Sequence, residues 1–311
     1  MTTAAPPLPL GVDVARPGRE ASLWRDTLRN VLRQRNARVG LTILGILVLA
    51  AVFADVLSPY DPDKSLLGTE RRLTPPCIHI LGCAADKVEH PFGLDANGRD
   101  EFSRVLHGAR ISLQVGFITV GFAIVLGMLL GLVAGYAGGW TETLIMRVMD
   151  VLLVFPALLL AIAIVAALGP GLINAQLAIG IVAIPVYARV MRASVLSVRE
   201  TDFVTASRAL GESAFGLIFR RILPNALTPI IVAGTLGIAG AVLDIAALSF
   251  LGLGAQPPLA EWGSMIGQDR NYVFTAPYLI WFPGFALALT VFGFNLLGDG
   301  LRDALDPRLN R

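Results

Sequence analysis

Six long apolar runs alternate with polar segments along the chain. They cover about residues 39–57, 111–135, 145–168, 172–190, 228–253 and 278–298. A helix needs roughly 20 apolar residues to cross a bilayer core. The pattern therefore predicts an all-α, polytopic membrane protein with six transmembrane helices. The fourth run is the most diluted, by Asn174, Gln176 and Pro185. The first run starts too late, and is too long, for a cleaved signal peptide. Asp55 and Ser58-Pro59 lead from it straight into a polar loop, with no small-residue cleavage site. It reads as a retained anchor.

Composition agrees with this pattern. Of 311 residues, 55% are hydrophobic and 15% charged, too apolar for an ordinary soluble domain. The net charge of +2 says little by itself; the distribution of charge says more. Residues 1–38 hold seven Arg and three acids, and residues 189–225 hold six Arg and three acids. The loop 58–107 holds six Lys or Arg and eight acids. Basic loops stay in the cytoplasm, so both termini and the 189–227 segment are expected there.

The expected organisation is then a cytoplasmic tail 1–38, a first transmembrane helix 39–57 and an outer loop 58–110. A transmembrane core 111–300 follows, with a cytoplasmic loop 191–227 inside it, and then a tail 301–311. Within the first tail, residues 22–38 form a basic amphipathic helix, with Leu23, Leu28, Val31 and Leu32 against Arg25, Arg29, Arg33 and Arg35. It either lies along an anionic membrane surface, at about 1 kcal/mol per Arg, or serves only as a topology stop.

The stretch Thr201–Pro229 is the longest charged, amphipathic segment in the second half of the chain. Phe203, Ala206 and Leu210 keep helical spacing until Gly211 breaks the run. Phe215, Ile218, Phe219 and Ile222 resume at i, i+3, i+4, i+7, with Arg220 and Arg221 off that face. Leu223-Pro224 then reads as a stop. The segment is a helix, a bend and a helix that presents one surface to something soluble. It resembles the cytoplasmic coupling loop of ABC importer permeases: Glu-Ala-Ala, three residues, Gly, about nine residues, Ile-x-Leu-Pro. Ala206, Gly211 and Leu223-Pro224 match. Thr205, Ser207 and Arg221 stand where the family has Glu, Ala and Ile.

Further blocks carry the same resemblance. His90-Pro91-Phe92-Gly93-Leu94-Asp95, Gly98-Arg99-Asp100, Ser103-Arg104 and Gly108-Ala109-Arg110 depart only at Leu94 from the segment before the second span in oligopeptide and dipeptide importers. Leu248 to Gly254, Pro257-Pro258 and Trp262-Gly263 form a second block. Asp299, Arg302, Asp303, Asp306 and Pro307 form a third, weaker one. The chain is similar to the second, C-type permease subunit of peptide importers.

That resemblance implies an ABC type I importer permease fold in the inner membrane. It implies a heterodimer with a homologous permease, two ABC ATPases and an extracytoplasmic peptide-binding protein. ATP and Mg would sit on the partner subunits, with no cofactor on this chain and no nucleic acid. The residues implied to meet the ATPase are Phe203, Thr205, Ala206, Ser207, Ala209, Leu210, Gly211, Phe215, Leu223 and Pro224. Import of nickel or glutathione by the same architecture is the alternative.

Read as chemistry, the residues form no catalytic set and no Gly-x4-Gly-Lys phosphate loop. The chain reads as non-catalytic, which speaks against a membrane-embedded enzyme. Few charges interrupt the spans, which speaks against an ion-coupled secondary transporter. Asp244 is the exception, a lone mid-span carboxylate without a basic neighbour within a turn. Such a group faces a water-filled path or another subunit, or is a packed neutral acid. Arg147 and Asp150 are spaced to pair on one helix face at a membrane interface. Cys77 and Cys83 form a disulfide, remain free thiols, or join His79 and His90 at a metal. The charges between Asp95 and Arg104 read as a solvated face that pairs locally. Gly131, Gly135, Gly138 and Gly139 read as close helix packing or a turn. Pro156, Pro185, Pro229 and Pro283 each permit a kink.

Overall fold

A computed structural model of the chain describes residues 30–84 and 86–305. Residues 22–29 of the amphipathic tail helix expected over 22–38 lie outside them. Helix α1 (Arg35–Val52) is followed by one more helical turn, Ala54–Leu57, and the outer loop. Then come α2 (Glu101–Ala137), α3 (Gly139–Val154), α4 (Ala157–Leu168), α5 (Leu172–Arg199) and α6 (Asp202–Ala209). After a short bend, α7 (Leu223–Phe250), α8 (Trp262–Asp269) and α9 (Tyr278–Leu305) complete the chain. Among the described residues there is no strand beyond the isolated bridges Cys77–His90 and Leu94–Asp100.

Five helical stretches are long and apolar enough to cross a membrane. The run expected as one span over 145–168 is instead the pair α3 and α4, bent by 92°. It makes a sixth crossing only if the pair is taken together. Phe155 at the break is extended, as a residue before proline prefers, and Pro156 cannot continue the α3 hydrogen bonds. Pro185, Pro229 and Pro283 sit inside continuous helices.

α2 and α5 form the closest helix pair. A Cβ at Gly127, Gly131 or Gly135 would meet backbone or Cβ atoms of α5 at under 3.0 Å. Small residues let helices approach this closely in a bilayer, where van der Waals packing replaces the hydrophobic drive. The seam ends at Gly138 and Gly139, whose positive φ values of 67° and 58° turn the chain into α3. α1 lies against α9, with Gly40 on the backbone of Gly293 and Gly300 on Ala37.

The outer segment does not form the solvated charged face that the sequence suggested. His90, Asp95, Arg99, Asp100, Glu101, Arg104, Glu261 and Asp269 are all buried. Asp100 caps α2, accepting from the Ser103 N–H at 2.9 Å, and its other oxygen meets His90 Nδ1 at 2.9 Å. Asp95 accepts from Arg99 Nε at 2.7 Å. Arg104 reaches the carbonyls of Pro62 and Pro258. The charges are inside because α8 and the Leu251–Glu261 loop close over them. Trp262 is fully buried and donates from Nε1 to the Val105 carbonyl at 3.0 Å. Gly263 and Gly267 allow α8 to rest directly on the backbone of α7. The two most specific sequence blocks, 90–110 and 248–266, therefore build one polar layer together.

Cys77 and Cys83 are joined as a disulfide at the rim of this layer. The two histidines weighed with them as metal ligands are engaged elsewhere. His79 Nε2 meets the Lys87 carbonyl at 2.8 Å, and His90 meets Asp100. Among the described residues, no group of three or more His, Cys, Asp or Glu is placed to hold a metal ion.

Candidate functional site: a membrane cavity and a cytoplasmic segment

Within the 191–227 segment, α5 ends and α6 follows. Leu210 caps it, and Gly211 follows with φ +83°. The Gly211 N–H bonds the Arg208 carbonyl and the Glu212 N–H bonds the Ser207 carbonyl. This paired closure is a Schellman motif, which asks for a left-handed residue at that position. A Cβ on Gly211 would meet nothing within 4 Å, so backbone conformation, and not space, selects glycine. Ser213 then caps the next turn, accepting from the Gly216 N–H.

Leu223-Pro224 does not stop the helix. Residues Leu217–Ile222 form a wide π turn, and α7 starts at Leu223 with Pro224 in its first turn. The Leu223 N–H reaches back five residues to the Ile218 carbonyl, and proline is tolerated at a helix start because its missing N–H has no duty there. The wide turn also splits the expected apolar stripe. Ile222 is buried and Ile218 half-buried, while Phe215 and Phe219 are exposed with ring centroids 4.5 Å apart.

Ten residues were expected to meet a partner. Phe203, Thr205, Ala206, Ala209, Leu210, Gly211, Phe215 and Pro224 are exposed, and Ser207 and Leu223 are half-buried. Leu210 is 89% exposed and Phe215 71%. Sequence reading missed what anchors them. Val204, Leu217 and Ile222 are buried in one cluster with Leu132, Met191 and Val195 of α2 and α5. The segment is thus fixed to the bundle on one side and apolar on the open side.

Asp244 of α7 lines a cavity of about 500 Å³ between α2, α3, α5 and α7. Thr119, Phe155, Tyr187, Gly237 and Gly240 also face it. Tyr187 is buried, and its hydroxyl occupies the place where a side chain on Gly237 would begin. Asp244 itself is half-buried. Asn174, another polar span residue, instead donates to the carbonyls of Leu168 and Gly169 and closes the end of α4.

Further along α3 and α5 lies an open groove of about 720 Å³. Arg189 pairs there with Asp150 at 2.6 Å, and Arg192 Nε with Glu142 at 2.6 Å. Asp150 thus pairs across helices with Arg189, and not along its own helix with Arg147. The i, i+3 spacing allowed the local pair, but α5 brings a closer cation.

A helical bundle of membrane-length spans, with a cavity between them, a buried polar layer and an anchored segment with exposed apolar side chains, fits a membrane permease. Residues 127–311 match the family of binding-protein-dependent transport system inner membrane components, and residues 22–76 match the N-terminal TM domain of oligopeptide transport permease C. The chain belongs to this family. It is 47% identical over 288 residues to the dipeptide transport system permease protein DppC of Alkalihalophilus pseudofirmus, covering 93% of this chain and 91% of that one. It is 45% identical over 286 residues to the di/tripeptide permease DppC of Pseudomonas aeruginosa, covering 92% and 91%. The glutathione transport system permease protein GsiD of Pectobacterium atrosepticum is 42% identical over 287 residues, covering 92% and 91%. The methionine ABC transporter MetNI in an inward-facing conformation shares the fold. Its TM-score is 0.55 at 19% identity, covering 65% of this chain and 97% of that one. The chain is therefore a multi-pass permease subunit of the ABC importer fold.

Proposed function

We propose that this chain is one of two permeases in an ATP-driven importer of di- or oligopeptides. The observation that carries the substrate class is the 47% identity to a dipeptide permease along 93% of the chain. Glutathione, itself a peptide, is the second reading, favoured by the 42% identical glutathione permease. A homologous permease supplies the other wall of the pathway. ATP and Mg are bound by two cytoplasmic ATPases, one docking on the exposed face of 202–224 and the other on the partner permease, and an outer binding protein delivers the peptide. Asp244 lines the pathway or meets the second permease. The bundle is a two-state element, biased by nucleotide at one end and substrate at the other.

This orientation puts both termini and the 191–227 loop in the cytoplasm and residues 58–110 outside. The test is ATP-dependent uptake by the complex assembled with its partner chains in vesicles. Labelled di- and tripeptides are expected to accumulate faster than glutathione. Glutathione uptake with no dipeptide uptake overturns the first reading in favour of the second. Unreduced protein digested for mass spectrometry is expected to yield a linked Cys77–Cys83 peptide; free thiols there would place the loop in a reducing compartment.

A further inference from the structure

Two polar groups at the membrane cavity are left unsatisfied by its apolar wall. Asp244 has no hydrogen bond or ion pair among the described residues, and Thr119 Oγ1 is buried without a partner. The threonine is the sharper anomaly. Thr42, Thr143, Thr235 and Thr290 each return their hydroxyl to the carbonyl four residues earlier. Thr119, 1% exposed in the middle of α2, does not. With almost no accessible surface, its hydroxyl is enclosed by the helix packing behind the cavity wall, which leaves Asp244 as the polar group open to the cavity. An unpaired carboxylate at membrane depth is costly, and such groups mark pathways for cations or protons.

Space beside the carboxylate points the same way. Gly240 lies one helical turn before Asp244, on the same face, and a Cβ there would meet nothing within 4 Å. Gly237, three residues earlier, gives its place to the Tyr187 hydroxyl. A cavity of about 500 Å³ lies within the roughly 300–1,000 Å³ of small-molecule sites. A single side chain from a neighbouring subunit would leave most of it empty.

We propose that this cavity is a station for a primary ammonium group, held by the Asp244 carboxylate. The ligand class is a short peptide with a free, protonated amino terminus. The ammonium has three N–H donors; the carboxylate accepts one or two and water takes the rest. The apolar remainder of the wall takes side chains without selecting among them. The proposal rests on the peptide-import reading and narrows it to one end of the substrate.

Gly240→Cys supplies a probe thiol in open space beside the carboxylate, and the two native cysteines are already bonded to each other. In the assembled complex, a cationic methanethiosulfonate is expected to modify this thiol at least about tenfold faster than an anionic one, each rate normalised to a free thiol. That is the scale of one unit charge a helical turn away in a partly aqueous site. Asp244→Asn in the same background should erase the preference. A peptide with a free amino terminus should slow the labelling, and its N-acetylated form should not. Equal rates for both reagents would overturn the ammonium site, as would equal protection by both peptides. Loss of complex assembly in Asp244→Asn, with Gly240→Cys unreactive, would assign the carboxylate to the second permease and also overturn it. Charge preference without uptake of any peptide would leave the ammonium site standing and overturn the import reading alone.

Discussion

The polar layer of residues 90–110 and the 202–224 segment put opposite kinds of side chain in opposite places. In the polar layer, Asp95, Arg99, Asp100 and Arg104 are buried and answered by partners in the same chain. In the 202–224 segment, Phe203, Leu210, Phe215 and Phe219 face outward. The first region is closed off as an interior, although His90 Nε2, both Glu101 carboxyl oxygens and Arg104 Nη2 find no hydrogen-bond partner among the described residues. The second leaves its apolar side chains open, and the proposed docking role rests on that. Neither a charged run nor an apolar run determines its own burial. What closes over it decides.

The comparison can be broken at either end. In the 202–224 segment, Gly211→Val forces a β-branched residue into the left-handed region, a strain of about 1–2 kcal/mol confined to the bend. The subunit should still insert, because Val204, Leu217 and Ile222 keep their packing. ATP-driven uptake per assembled complex should fall at least about tenfold, if binding by the partner depends on the presented face. Wild-type uptake by assembled complex would remove the coupling role from this bend.

In the polar layer, Arg99→Ala leaves Asp95 buried without its 2.7 Å partner. Breaking such a pair costs roughly 3–5 kcal/mol. A clear fall in the melting temperature of the detergent-solubilised subunit is expected. Leu210→Ala, on the open face, should leave that temperature nearly unchanged. Similar shifts for the two variants would erase the distinction between the regions.

The smallest expected effect concerns pH. Burial, reinforced by the nearby Asp95, pushes the Asp269 carboxyl up to about 6, against the opposing pull of Arg99 and Arg104. Folding therefore favours the protonated acid. Its stabilising contribution is full below the unfolded value near 4, declines between pH 4 and 6, and is gone above that. The span corresponds to about 3 kcal/mol. Asp269→Asn, measured beside wild type from pH 4 to 7, should lose that part of the slope. Parallel curves would show that Asp269 does not carry it.

Much of this molecule was legible as periodicity. The long apolar runs correspond to helices, and Gly211 stands at a bend because no side chain competes for that conformation. The break of α3 from α4 was hidden, since residues 151–168 carry no charged residue and only Phe155-Pro156 marks the joint. Pro185 carries the same local signal inside an unbroken helix, so tertiary packing decides between them. The buried charges were misread because Asp95–Arg104 looks like any exposed loop until Trp262 and α8 close over it. Thr119 gave no signal at all: an isolated threonine in an apolar run is ordinary, and only the missing bond to its own helix makes it notable.

The glycine seam between α2 and α5 has a mechanical side. α5 carries cavity wall at Ile179–Tyr187 and runs without a break to Arg199, where α6 begins within three residues. Arg199 also clasps the end of α2 through the Gly135 carbonyl at 3.0 Å. With no side chains between the two backbones, the pair behaves as a single stiff plank. From Arg199 to Ile179 it measures about 30 Å at 1.5 Å per residue. A rocking of about 10° at the Arg199 end would therefore sweep the cavity wall through about 5 Å, on the scale of one helical turn.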